Sequence, residues 1–519
     1  MKKVTFKTYS VGQISMLPPR LEELIPEDHL VRVVNQMVDQ IDLRPILQKY
    51  KGGGASSYHP RMMLKVLVYA YSEKTYSSRR IAKALRENVN FMWLSGGNKP
   101  DHRTINGFRS GILKGDIREI FASVVELLLE AGYVKMEDYF VDGTKIEADA
   151  NAHKVVWAKR TKRYKSKLRE KIDVLLDEID KANDAEEAEY GEKDLEEMGG
   201  NGGLTAENLK KKVTELNERL KQSPEDKPLK KAVKTLEKNY LPRLEKYEEQ
   251  ERILNGRNSY SKTDPDASSL RMKEDRAAEK PLPRPGYNIQ NGTEGQFIVG
   301  YSIHQSAGDP GCFVPHMEAQ KFPKGKLPKN VIGDAAYGSE ENYDWLEKHQ
   351  IGKYLKYNRF HKEQHPPRKP ELREKERFLS VNFPYDQDKD EFTCPAGHPL
   401  TYRETRPYRT RNHYLSERRF YECGHCESCP LKPQCTKAKG NRRIQVSFKL
   451  REYQQEARNN LLSERGVALR KKRAVDVETP FGNIKQNMGF RRFLLRGKKK
   501  VEIEWGLLSI AHNMRKLAV

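Results

Sequence analysis

The chain has 519 residues, 96 of them Lys or Arg and 73 Asp or Glu, for a formal net charge of +23. That length exceeds one ordinary core and predicts two to four domains, and the cationic excess favours a polyanionic partner, nucleic acid first. No run of 18 apolar residues occurs and MKKVTFKTYSVGQ lacks an apolar signal-peptide stretch, so neither a membrane span nor a secretory leader is expected.

Residues 1–130 read as a helical domain. EELIPEDHLVRVVNQMVDQI and HPRMMLKVLVYAYSEK place apolar residues at helical spacing. Ser77 and Ser78 can cap SRRIAKALREN, with Arg79, Arg80 and Lys83 facing outward, and PDHRTINGFRSGIL starts on Pro-Asp, a favoured opening of a helix. Short helices joined by tight turns, with Arg and Thr/Asn on the last, fit a helix-turn-helix-like DNA-binding unit; the plainer reading is a helical bundle.

YFVDGTKIEA, residues 139–148, predicts a strand carrying Asp142, within a first core segment 131–155. A helical insert over 156–255 follows. Its apolar stripes are Tyr164, Leu168, Ile172, Leu175 and Ile179, then Leu209, Val213, Leu216 and Leu220, then Leu229, Val233, Leu236 and Tyr240. That spacing is the seam of coiled helices and predicts an antiparallel arm or a dimer-forming element. GGNGG (199–203) and the Pro224–Pro228 region separate the helices, and Pro242 is expected to end or kink the last. From 256 to 375 strand-like runs resume at GYNIQNGT and GQFIVGYSIHQ, with a turn at Gly292–Gly295. KNVIGDAAYGS is a further strand ending at Asp334. This order suggests a mixed sheet flanked by helices.

Residues 376–445 hold Cys394, Cys423, Cys426, Cys429 and Cys435 with His398 and His425. Cys-Pro-x-Gly followed by CxxC is knuckle-like, and four thiolates suit a structural tetrahedral Zn²⁺ in a reducing compartment, because so small a polar insert is not expected to have its own core. The set is overcomplete: Cys394, Cys426, Cys429 and Cys435 are the preferred ligands, with Cys423 as the alternate. Between 401 and 450, 12 Lys/Arg against 4 Asp/Glu interleave with Tyr402, Tyr408 and Tyr414, a DNA-backbone surface or a solvated face. Cys312 stands apart and reads as a buried thiol.

Residues 446–519 carry Glu478 on a helix, and Lys485, two turns on, shares its face. Asp is depleted in strands and costly to bury unpaired, so Asp142 and Asp334 near the ends of buried strands are unusual. With Glu478 they could converge on a divalent metal pair, as phosphoryl transfer requires. Glu502 and Glu504 lie further down the same basic tail and compete with Glu478 on spacing alone.

The ordered set SYHPRMMLKVLVYAYSEKTYSSRRIAKALRENVNFMWLSGGNKPDHRTINGFR, KTDPDAS, GYNIQ, GDAAYGS, the CPxG…CxxC insert and VETPFGNIK resembles the DDE transposases of bacterial insertion sequences. The nearest likeness is to the IS eleven-eighty-two group of the IS four/IS five assemblage, with an InsH-type N-terminal domain. The resemblance implies an RNase H-like core in which Asp142, Asp334 and Glu478 hold two Mg²⁺ (or Mn²⁺) ions, Lys485 matching the lysine of the Y-R-E-K signature. It further implies DNA contacts from Arg79, Arg80, Arg103, Arg109, Arg473, Lys485, Arg491 and Arg492. The partners would be double-stranded transposon ends and target DNA in the bacterial nucleoid, held by a homodimer or larger synaptic complex. One departure stands out. Arg473 lies five residues before Glu478 where the signature has four, and Lys471 takes the tyrosine position, which leaves both assignments open. The rival readings are a zinc-containing DNA-binding regulator without chemistry and an RNase H-like nuclease.

Overall fold

A computed structural model describes residues 20–50, 56–190, 204–222, 224–272, 282–410 and 412–518. The segments 1–13 and GGNGG singled out in the sequence lie outside them.

The central layer is a six-stranded mixed sheet. Strand β1 (Asp138–Glu147) leads, via a short β2 (Val155–Trp157) that pairs with β3 (Ser259–Ser261), to β4 (Ser268–Leu270), β5 (Arg284–Glu294), β6 (Phe297–His304), β7 (Asn330–Gly333) and β8 (Gly352–Leu355). The order is β4-β5-β1-β7-β8, with β6 on the other side of β5; β1 is antiparallel to β5 and parallel to β7. The β5–β6 connection is a two-residue turn, Gly295 and Gln296 both at positive φ, the backbone that suits a twisted hairpin. Just before it, the Glu294 carboxylate accepts from the backbone N–H groups of Lys135, Met136 and Glu137 at 2.7–2.9 Å, which fixes where β1 begins.

The helices Leu30–Gln40, Pro60–Ser72 and Ile117–Glu130 share one continuous apolar core with the sheet and the C-terminal helix Lys498–Leu517. The helix Ser78–Glu87 is preceded by Ser77 as N-cap, yet the Ser77 side chain makes no capping bond, so the expected cap is filled by backbone geometry only. Asp101 does cap its helix, accepting from Thr104 N at 2.7 Å.

The insert forms a bundle of helices Ala158–Tyr190, Ala206–Gln222 and Lys227–Leu254 around a separate core of Leu168, Ile172, Leu176, Leu209, Leu216 and Leu236. Pro242 neither ends nor replaces its helix. A π-turn, Leu236–Tyr240, precedes it, and the helix runs on to Leu254.

The cysteine-rich insert is a five-stranded antiparallel sheet, β9 (Tyr385–Asp386), β10 (Glu391–Thr393), β11 (Pro399–Arg409), β12 (Leu415–Cys423) and β13 (Arg443–Val446). Contrary to expectation it has a core of its own, in which Phe392, Leu400, Tyr421 and Ile444 pack with Cys423 and Cys426. Its aromatic side chains come from separate strands, Tyr385 from β9, Phe392 from β10 and Tyr421 from β12, and supply the apolar area that composition conceals.

Candidate active site

Asp142 lies in the middle of β1, not at its end, and is 8% exposed. Asp334 directly follows β7, half-buried, and its Oδ1 accepts from Ala336 N at 2.9 Å. The parallel register pairs Phe140 with Ile332. Asp142 and Asp334 each lie two residues past this last pair, at the same end of the two strands. Tyr337, fully buried, senses both: burial and then the charges of Asp142, Asp309 and Asp334 push its phenol far above the usual range. Gly338 lets the loop after Asp334 lie flat on the next strand, because a Cβ there would stand 2.3 Å from Lys356 O.

Glu478 arrives from the opposite end of the chain. It closes a π-turn, Ala474–Glu478, that follows the helix Glu464–Arg473. A π-turn closes on i→i+5, so Arg473 and Glu478 stand one turn apart, where an α-helix would place residues i and i+4. The extra residue that separates this sequence from the Y-R-E-K spacing is absorbed there. Arg473 reaches both acids, Nη1 to Asp142 Oδ2 at 3.9 Å and Nη2 to Glu478 Oε1 at 3.8 Å. These are long, loose ion pairs, and Glu478 is 63% exposed, so they report convergence more than stability. Glu502 and Glu504 point elsewhere: Glu502 pairs with Arg118, and Glu504 is buried against Tyr71 and the Leu494 and Leu495 N–H groups.

Three further residues that sequence reasoning passed over lie around this site. Asp476, 1% exposed, accepts from Gly295 N at 3.1 Å and Gln296 N at 2.8 Å, clamping the Glu478 turn to the β5–β6 hairpin. His512 grips the same hairpin, its Nε2–H to Gln296 O at 2.9 Å, while its Nδ1 accepts from Asn483 at 2.9 Å. Lys356, just past β8, is the third: burial and the charges of Arg473 and Arg470 hold its ammonium below the usual range, and Asp334 opposes them. Arg473 thus lies by Asp142 and Glu478, and Lys356 feels the charge of Asp334.

Lys485 sits in a second π-turn, Asn483–Asn487, on the same continuous helical segment as Glu478, and is 8% exposed. Arg491 and Arg492 are exposed beyond it; Arg492 pairs with Asp149 at 3.1 Å and Arg491 bonds Gln486. Arg79, Arg80 and Arg103 are exposed on the N-terminal helices. Arg109 is a correction. It is 3% exposed and bound to Tyr71 Oη at 3.1 Å, Tyr76 O at 2.7 Å and Asn106 at 3.1 Å, so it braces the core beneath the helices and presents no face to DNA.

In the insert, Cys394, Cys423, Cys426, Cys429 and Cys435 all line one cavity of ≈ 20 Å³ with His398 and His425, room for a single atom-sized guest. The Cys426 Sγ accepts from Arg442 N at 3.3 Å, and burial raises the Cys423 thiol to about 12. Among the described residues no group of three or more His, Cys, Asp or Glu side chains stands at metal-ligating spacing, in this cavity or at the acids. Cys312 is buried against Asn288, apart from the cluster.

Asp142 on β1, Asp334 just past β7 and Glu478 at the end of a π-turn are the three acids that the sequence singled out, and Arg473 lies between the first and the third. Two known families match parts of the chain. Residues 393–518 match the transposase DDE domain family, and residues 19–111 match the family described as Transposase domain (DUF772). Two separate stretches of the chain, one near each end, are thus similar to transposase domains, the C-terminal one to a DDE domain. The first match includes Glu478 and Lys485 but neither aspartate. No curated protein and no solved structure matches the chain significantly.

Proposed function

We propose that the chain binds the terminal inverted repeats of its own insertion sequence, one of the IS eleven-eighty-two type, and cuts and joins DNA through Asp142, Asp334 and Glu478 on an RNase H-like core. The observation that supports this reading is the parallel β1–β7 pairing, which ends two residues short of Asp142 and Asp334, acids nearly 200 residues apart in sequence whose charges both act on buried Tyr337.

The donors fit a hard divalent cation by their chemistry: they are carboxylate oxygens, and the Arg473 guanidinium between Asp142 and Glu478 shows the negative charge gathered there. Bound there, two Mg²⁺ or Mn²⁺ ions would supply an activated water and a stabilised leaving 3′ oxygen. Asp142 rides on β1 and Asp334 on the loop that leaves β7; Glu478 would close the group from the solvent side. Arg473 and Lys356 offset the charge of a phosphodiester drawn into the site, and Lys485, Arg491 and Arg492 continue that basic wall along the C-terminal segment. Arg79, Arg80 and Arg103 face outward for the duplex of the repeat. Two ends held together call for a homodimer or larger assembly.

The cysteine cavity fits Zn²⁺ by its chemistry, soft thiolates from two knuckle-like turns around a space for one ion, and Cys394, Cys426, Cys429 and Cys435 are the proposed ligands, with Cys423 the alternate.

The test is cleavage of duplex DNA bearing the element's end, with Mg²⁺, by the wild-type chain and Asp334→Ala. The wild type should cut and the variant should bind without cutting. Equal cutting by both would overturn the assignment.

A further inference from the structure

The helix Ala158–Tyr190 that begins the arm has a charge pattern with no structural explanation in its own bundle. Its first part, residues 158–171, holds eight Lys/Arg against one Glu; its remainder, 172–190, holds one Lys against eight Asp/Glu. Helix electrostatics favour the reverse, acids near the N-terminus and bases near the C-terminus. The basic residues are also arranged to repel one another. Lys159, Arg163, Lys167 and Lys171 follow in i, i+4 steps, three successive like-charge pairs, each unfavourable by about 0.2–0.5 kcal/mol.

The stripe faces solvent. Lys159, Arg160, Arg163, Lys167 and Lys171 are exposed, whereas Thr161, Lys165, Leu168 and Ile172 face the bundle. Lys165 is the member turned inward, and it is neutralised by Glu248 and Glu251. None of the four stripe residues makes an ion pair among the described residues, and Arg160 bonds a tyrosine, Tyr164. The bundle thus pairs the cation it buries and leaves the outward ones unneutralised.

The stripe starts close to the site in the chain. Strand β1 carries Asp142, and at its end Asp149 binds Arg492 and Arg496, the basic segment beyond Glu478. A cleft of ≈ 480 Å³ joins that pair to His153, five residues before the helix begins. A backbone that follows Arg492 and Arg496 out of the site meets the root of the arm next.

We propose that the first four turns of this helix are a docking surface for the phosphate backbone of duplex DNA, with the acidic remainder of the helix turning the duplex away from the tip. The proposal rests on the reading of the chain as a DNA-processing enzyme and assigns the arm a part in it: sequence-independent grip on DNA beyond the reacting phosphate.

The test is equilibrium binding of random-sequence duplex DNA by the full chain, followed by fluorescence anisotropy across salt concentration. Four neutralised phosphates contribute about 3.6 to the slope of log K against log salt. The variant Lys159→Gln/Arg163→Gln/Lys167→Gln/Lys171→Gln should therefore lose three to four from that slope, roughly a hundredfold less sensitivity between about 50 and 200 mM salt. Its thermal midpoint should hold or rise, since three repulsive pairs are gone. Lys159→Arg/Lys167→Arg/Lys171→Arg, which keeps the charge, should keep the slope, as should Asp173→Asn/Asp177→Asn. A quadruple variant that folds and binds with the wild-type slope overturns the proposal; so does a charge-keeping variant that loses it. Because binding needs no chemistry, the cleavage assay fails or succeeds separately: a changed slope without any end cleavage would leave the surface standing and remove the transposase mechanism.

Discussion

Replacing Asp476 by Ala should cost the fold about 2–5 kcal/mol and should cost end cleavage more than it costs DNA binding. The carboxylate accepts the Gly295 and Gln296 N–H groups at 3.1 and 2.8 Å. Leaving a buried donor unsatisfied costs about 1–3 kcal/mol. The two turn residues are half-buried, so water recovers part of it and the sum stays below the full range. The Lys472 contact at 3.8 Å, from a half-exposed side chain, adds little. Asp476→Asn retains one acceptor and turns an N–H₂ toward the other donor, so it should cost about 1–3 kcal/mol. Urea unfolding measures both, and cleavage of end DNA below the unfolding midpoint measures the displacement of Glu478. Because Asp476 touches neither Asp142 nor DNA, a purely structural role would lower stability without changing the cleavage rate of the folded fraction. An Asp476→Ala chain within about 0.5 kcal/mol of wild type, or one that cuts at the wild-type rate per folded molecule, would refute the claim that this clamp sets the Glu478 turn.

Other expectations are as direct. Burial depresses the His512 and His304 imidazoles from 6.5 to about 4, so both stay neutral in the folded chain while the unfolded chain takes up protons. Their contribution to stability is full above pH 6.5 and is lost as pH falls toward 4, up to about 3 kcal/mol each; His512→Gln should flatten the urea midpoint over that window, and an unchanged profile would contradict the assignment. Arg109→Ala should destabilise by about 3–5 kcal/mol, since it strands buried Glu504 and Tyr71, without altering the salt dependence of DNA binding, whereas Arg79→Gln/Arg80→Gln should weaken binding and leave stability intact. Metal analysis of the reduced chain should find one zinc per molecule. Cys429→Ser should lower both zinc content and thermal midpoint, and a zinc-free chain of undiminished stability would sink the proposed site.

Asp142 and Asp334 drew attention in the sequence because Asp is depleted in strands, although an Asp at a strand end is often a turn residue and the motif order was needed to join them to Glu478. The parallel β1–β7 pairing was not legible, since a whole helical bundle separates the two strands. The spacing of Arg473 from Glu478 was left open in the sequence for a definable reason. Residue counting assumes 3.6 residues per turn throughout, and the π-turn at Ala474–Glu478 breaks that assumption at the one place where it matters. Arg109 was taken for a surface cation because it follows a polar helix, HRTING, and only tertiary packing shows Tyr71 and Tyr76 around it. Asp476 and Lys356 carried no local signal: one sits two residues from a more conspicuous Glu, the other directly follows a short strand, GKYL. The core of the cysteine-rich sheet was hidden by the many Arg and Glu on its alternate positions.

The central claim is that Asp142 and Asp334 ligate the same divalent ions. It is tested most directly by metal-switch rescue. Asp142→Cys and Asp334→Cys place a softer donor at each position, which disfavours Mg²⁺ and is tolerated by Mn²⁺. Each variant should lose cleavage of end DNA in Mg²⁺ and regain it in Mn²⁺, with DNA affinity unchanged in both. Full activity in Mg²⁺, or inactivity in both metals with DNA bound normally, would contradict it.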